Sequence, residues 1–131
     1  HGETGSVLQV EFRLGTQQFV ALNGGPIFTH SPAASIQVFC PDQAEVDRLW
    51  YGLLDGGGEE SQCGWLTDRF GLSWQIIPTR LGELASDPDR ERASRVIAAM
   101  LQMRKLDIAA LEAAADATST PSAPTSADDQ S

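Results

Sequence analysis

The 131-residue sequence predicts one α+β domain, and three observations carry that prediction. Within positions 6–14 apolar and polar residues alternate strictly from Leu8 onward. A helix-spaced apolar stripe sits between strand-like runs over positions 35–78. Past position 87 the apolar spacing is helical, and from position 116 no large apolar residue remains.

Taken in order, the elements follow from these patterns. Leu8, Val10, Phe12 and Leu14 share one face of the first run, while Gln9, Glu11 and Arg13 share the other, as in a half-buried strand. Gly15-Thr16 turns the chain, and Gln17 to Leu22 returns as a second strand. Asn23-Gly24-Gly25-Pro26 breaks it, and a loop runs to about Ala33. Ser35 to Cys40 reads as a third strand. Pro41-Asp42 then opens a helix, with Asp42 as N-cap and Glu45 in capping-box register. Val46, Leu49, Trp50, Leu53 and Leu54 form its apolar stripe, expected to cover the outer face of a sheet with Trp50 in the core. Asp55 and the three glycines after it end the helix. Cys63 to Thr67 and Leu72 to Ile77 read as two strands joined by a turn at positions 68–71.

Asp87-Pro88 reads as an N-cap followed by Pro at the first helical position. Ala93, Val96, Ile97, Met100 and Leu101 supply that helix's stripe. Asp107 caps a further short helix, and Leu106 can staple onto Leu111 across the cap. The expected organisation is a domain over 1–115, made of 6–22, 34–78 and 80–115, followed by a disordered acidic tail over 116–131.

Charge and composition exclude several function classes. Nine basic residues against eighteen acidic ones give a net charge of -9, the wrong sign for nucleic acid. No apolar run reaches the ~20 residues of a membrane span. The opening His1-Gly2-Glu3-Thr4-Gly5 has neither the basic nor the apolar region of a secretory signal, so a cytoplasmic setting is expected. Cys40 and Cys63 lack any CxxC-like spacing and read as reduced structural thiols.

Three stretches carry a family resemblance. Ala21-Leu22-Asn23-Gly24-Gly25-Pro26, the run from Gln62 to Pro78 that contains Cys63-Gly64-Trp65 and Gly71-Leu72-Ser73-Trp74-Gln75, and the run from Met100 to Glu112 resemble, in the same order, motifs of the PhnB-like family. That family belongs to the vicinal oxygen chelate (glyoxalase/bleomycin-resistance) superfamily and often bears the label 3-demethylubiquinone-9 3-methyltransferase domain. The resemblance implies two βαβββ modules forming a cupped sheet around a pocket, usually in a dimer. The residue pattern supplies one such module, from Ser35 to Pro78, and only the last two strands of another. The first module is thus expected to be incomplete, its remainder lying upstream or coming from a partner chain.

Metal-binding relatives place His and Glu on the inner strand faces. Here the only histidines are His1 and His30, neither at ligand spacing from a second ligand, and the corresponding inward positions hold Gln37 and Gln75. No metal and no cofactor are expected. Gln37 and Gln75 have two readings: amides that orient a polar substrate, or amides bonded to each other or to water in a vestigial cup. Glu11 reads as a general base on the same side or as a solvated strand residue. Asn23 and Trp65 complete the candidate pocket, and Trp65 and Trp74 read equally as core. A standard S-adenosylmethionine site needs a Gly-rich turn from strand into helix, and neither Gly24-Gly25 nor the run from Gly56 to Gly58 has that context. The leading functional expectation is a metal-free domain that binds a small organic molecule as a homodimer. The alternatives are an enzyme of the glyoxalase/dioxygenase type or a methyltransferase, and a purely structural or regulatory dimer without ligand.

Overall fold

A computed structural model describes residues 5–117. Strands β1 (Gln9–Leu14) and β2 (Gln17–Leu22) form a separate antiparallel hairpin in which Phe12 faces Phe19 and Val10 faces Ala21. The next unit runs β3 (Ser35–Cys40), α1 (Gln43–Leu54), β4 (Glu59–Glu60), β5 (Trp65–Thr67) and β6 (Ser73–Pro78). Its four strands lie in the order β3-β6-β5-β4. The β3–β6 pair is parallel and the other two pairs are antiparallel, so the first strand of the unit sits beside the last. A parallel pair needs a long crossover, which α1 and the two intervening strands supply.

Alternation gives this sheet two unlike faces. Cys40, Leu66, Trp74 and Ile76 turn toward α1 and close a core with Val46 and Trp50. Ile36, Val38, Leu49, Leu53 and Leu54 pack around that core, so the expected α1 stripe covers the sheet as read from its spacing. Asp42 caps α1 by accepting from the Glu45 amide at 2.9 Å. The reciprocal half of a capping box is not made, because the Glu45 carboxylate binds the Arg48 guanidinium instead. Asp68 organises the β5–β6 turn. It accepts from the Phe70 and Leu72 amides and from the Trp74 indole N–H at 2.9 Å.

Helices α2 (Thr79–Ala85), α3 (Arg90–Leu101) and α4 (Ile108–Asp116) gather on Ile77. Their core holds Leu81, Leu84, Val96, Leu106, Leu111 and Ala115, with Met100 and Met103 packed on it. Leu106 and Leu111 are both fully buried there, and Asp107 caps α4 by accepting from the Ala110 amide, as the sequence predicts. The Gln43 side chain joins the two halves: its amide donates to the Leu106 carbonyl at 3.0 Å and accepts from the Ile108 amide at 2.8 Å.

Three local readings need correction. Asp89, not Asp87, caps α3, accepting from the Glu91 and Arg92 amides. Asp87 instead accepts from the Asp89 amide and pairs with Arg92, so Pro88 lies in the turn before the helix. The buried stripe of α3 is centred on Val96, Ala99 and Met100, leaving Leu101 54% exposed. Helix α4 runs through Asp116, one residue past the expected boundary, and Asp116 pairs with Arg92 at 2.9 Å. The rest of the expected tail, from residue 118, lies outside the described residues. Helix α2 and strand β4 are additions to the sequence reading. The Leu81 and Leu84 pair, three apart and both buried, is the pattern that marks α2.

Candidate functional site

The candidate residues divide into a group that the fold brings together and a group that it does not. Gln37, Gln75 and Trp65 lie opposite one another across β3, β6 and β5. They form one row on the sheet face away from α1. The Gln37 amide donates to Gln75 Oε1 at 3.2 Å, and the Gln75 amide donates to the Ser35 hydroxyl at 2.9 Å. Of the two readings of this pair, the geometry matches the one in which the amides bond each other. No bond among the described residues uses Gln37 Oε1, which stays open as an acceptor.

Glu11 and Asn23 sit elsewhere. Glu11 is exposed on the hairpin and lines a shallow recess with Phe12, Arg13 and Gln18. Asn23 closes the hairpin base, its backbone amide donating to the Leu8 carbonyl at 2.8 Å and its side chain to the Val7 carbonyl at 3.3 Å. That is a structural role, and it explains why an Asn stands at the end of β2.

A groove of about 550 Å³ opens between the hairpin, the β3 edge and α1. Leu14 and Phe19 line it from the hairpin, Val38 and Phe39 from β3, and Leu49 and Leu53 from α1, with Gln37 and Arg13 among its polar residues. Sequence reasoning named Gln37 but missed the apolar wall. The signal was present in the apolar face of the hairpin and in the part of the α1 stripe beyond Val46 and Trp50. What could not be read is that these two stripes border one cavity.

The remaining chemistry is modest. Among the described residues no three His, Cys, Asp or Glu side chains stand together as a metal site. The donor row on the inner face is amide and hydroxyl, which suits hydrogen bonding rather than transition-metal ligation. The β3-to-α1 turn is Pro41-Asp42 without a glycine, so the residues present do not fit S-adenosylmethionine in the strand–Gly-loop–helix manner.

Cys40 is fully buried against α1, and burial, helped by the Glu45 and Asp42 carboxylates, pushes its thiol up to about 11. Cys63, with a positive φ of 57°, is only partly buried. Iodoacetamide at pH 8 is therefore expected to label Cys63 and to leave Cys40 untouched until the protein unfolds, because the thiolate is the reacting form. Peptide mass spectrometry checks this, and labelling of Cys40 in folded protein at the rate of Cys63 would refute it.

Comparison with known proteins places this architecture. The model of the 3-demethylubiquinone-9 3-methyltransferase family matches residues 1–77, more than half of the chain. The chain belongs to this family. Among solved structures it is similar to a PhnB protein from Bacillus cereus, at 29% identity and a TM-score of 0.55, over 60% of this chain and 69% of that one. It is also similar to protein PA1353 from Pseudomonas aeruginosa, at 22% identity and a TM-score of 0.47, over 55% of this chain and 62% of that one. No match was found among curated protein sequences. The α+β fold with its β3-β6-β5-β4 sheet is thus that of a PhnB-like βαβββ module with C-terminal helices, as the sequence resemblance implied.

Proposed function

We propose that this chain is a cytoplasmic, metal-free, small-molecule-binding domain that works as a homodimer. The observation that carries the reading is the groove itself. Its volume of about 550 Å³ falls within the ~300–1,000 Å³ of small-molecule sites. Its wall is apolar, and Gln37 offers an unused acceptor, which is the mix such sites use to hold and orient a ligand. Membership of the family supports a pocket-bearing fold. The methyl-transfer activity in the family's label finds no matching strand–Gly-loop–helix cradle among the described residues.

Assembly is argued from surface chemistry. Val10, Val20 and Leu22 on the hairpin are 51%, 55% and 68% exposed, and Phe28 in the following loop is 92% exposed. Val10 shares one hairpin face with the exposed Leu8, Phe12 and Leu14, and Val20 and Leu22 lie on the other; an exposed apolar face of this kind marks an interaction site, and both hairpin edges keep unpaired backbone groups. The hairpin and the 23–34 loop are the proposed contact surface. The C-terminal helices place Met100 and Met103 against their own core and expose Ile97 and Leu101. The two unpaired cysteines suit a reducing compartment. Among the described residues no helix is long and apolar enough to cross a membrane.

Native mass spectrometry of protein purified from cells tests the reading in one measurement. A mass of two chains carrying an organic adduct is expected. A bare 14.1 kDa monomer, or one retaining a transition metal, would refute it.

A further inference from the structure

The four-stranded sheet has two unlike edges. One is β4, only two residues long, and both are glutamates, Glu59 and Glu60. Short strands and charged side chains are the usual devices that stop a sheet edge from pairing with another chain. The other edge is β3, six residues from Ser35 to Cys40, with no charge, no proline and no glycine. Among the described residues only β6 pairs with it. The hairpin does not extend that edge, since it forms a sheet of its own across the groove. Phe39 lies 61% exposed on the strand. Gln37, near its middle, gives one amide hydrogen to Gln75. Among the described residues its other amide hydrogen and its Oε1 have no partner, which leaves one donor and one acceptor open.

We propose that β3 pairs with β3 of a second copy, antiparallel about a two-fold axis between the two Gln37 residues. A two-fold contact must be self-complementary, and an antiparallel pair of identical strands is. Alternation limits the register, because directly opposed residues share a sheet face. Centred on Gln37, it sets Ile36 against the second copy's Val38 on the apolar face. On the other face each Gln37 offers a donor to its counterpart and accepts one in return, so both open groups are filled. Centring on Val38 would set each Gln37 against a phenyl ring and leave them open. Each Oε1 keeps a second lone pair for a ligand. The sheet then runs through both copies, with α1 of each on one side. On the other side the two rows of Gln37, Gln75 and Trp65 join, so each copy contributes residues to one shared site. Chains of net charge -9 repel each other, and an uncharged seam adds nothing to that repulsion. The inference rests on the homodimer reading above and adds β3 to the contact surface.

Cross-linking and sedimentation of the full chain test the seam. In a Cys63→Ser background, with Cys40 buried, Gln37→Cys sets two thiols opposite each other. Directly opposed antiparallel residues lie about 4.5–5.5 Å apart at Cα, within disulfide reach. Mild oxidation is expected to cross-link this variant roughly tenfold faster than Ser35→Cys, which the same register sets out of line. Phe39→Lys puts a charge on the edge and is expected to weaken the dimer roughly tenfold or more in sedimentation. Gln37 and Phe39 are exposed, so these variants should fold as the parent does, which circular dichroism verifies. A dimeric parent whose Gln37→Cys variant cross-links no faster than Ser35→Cys overturns the β3 seam and leaves the homodimer. A Phe39→Lys protein that dimerises as tightly as the parent overturns the seam as well. A parent that sediments as a monomer at micromolar concentration overturns the seam and the homodimer together.

Discussion

Trp50→Ala is expected to leave little folded protein. Trp50 is fully buried, packed among Val46, Leu66, Trp74 and Ile76 at the centre of the α1-side core. Truncating a buried Trp costs ~3–5 kcal/mol, part lost transfer energy and part cavity. A domain of this size has only ~5–15 kcal/mol of stability to lose. The indole also donates to Glu60 Oε1 at 3.0 Å, which ties α1 to β4, a two-residue strand at the sheet edge. Trp50→Phe separates the two contributions. It keeps most of the ring volume and loses the hydrogen bond, so it should cost less than half as much. Urea denaturation followed by far-UV circular dichroism measures both. A Trp50→Ala protein within 1 kcal/mol of the parent would mean that the α1 stripe does not hold the sheet as described.

Gly64→Ala is the second large effect, expected at ~2–5 kcal/mol. Gly64 has a φ of 85°, where a residue with a Cβ is strained by ~1–2 kcal/mol. A Cβ there would also lie 2.9 Å from the Ile76 carbonyl oxygen and 3.1 Å from side-chain carbons of both Ile77 and Leu106. Such overpacking costs ~1–3 kcal/mol more. The backbone cannot easily move aside, because it is held on both sides: the Gly64 amide donates to the Arg104 carbonyl, and the Gly64 carbonyl accepts from the Ile76 amide, each at 2.8 Å. Gly71 is the control. Its φ is 87° but nothing lies within 4 Å of its would-be Cβ. Gly71→Ala should show the conformational cost alone. Equal midpoints for the two variants in the same denaturation series would rule out the packing account of Gly64.

The contrast between these glycines bears on the functional proposal. Gly64 lets β5 enter the sheet where the α3–α4 loop crosses it, with the Cys63 amide donating to the Met103 carbonyl at 2.8 Å. The C-terminal helices are therefore anchored to the strand that carries Trp65, next to Gln75 and Gln37. Lys105, the chain's single lysine, adds a second anchor to α1 through Asp47 at 2.8 Å and through the Tyr51 hydroxyl. The groove's sheet and helix walls belong to this cross-linked part. Its third wall, the hairpin, belongs to a separate two-stranded sheet.

The sequence by itself determined the elements whose signal is local. Alternation over Leu8 to Leu14 announced the strand but not its burial, since every residue of β1 is exposed and the half-buried face it implies is absent, while the spacing of Val46, Leu49, Trp50 and Leu53 set the buried side of α1. Asp42 and Asp107 announced two helix starts because a capping side chain acts within three residues of itself. The pairing of Gln37 with Gln75 was one of two open readings, since strand alternation put both amides on one face. Asp87 misled because Pro88 suits the first turn of a helix equally well as the turn before one. Only the tertiary structure decided the rest. Strand order, and with it the Gln37–Gln75–Trp65 row, depends on hydrogen bonds between segments up to about forty residues apart. The exclusion of Glu11 and Asn23 from that row depends on where the hairpin docks, which no local pattern encodes. The groove is the clearest case. Its wall joins residues 13–19 to residues 36–53, and a cavity is a property of how separate surfaces meet, while periodicity reports only which side of each element is apolar.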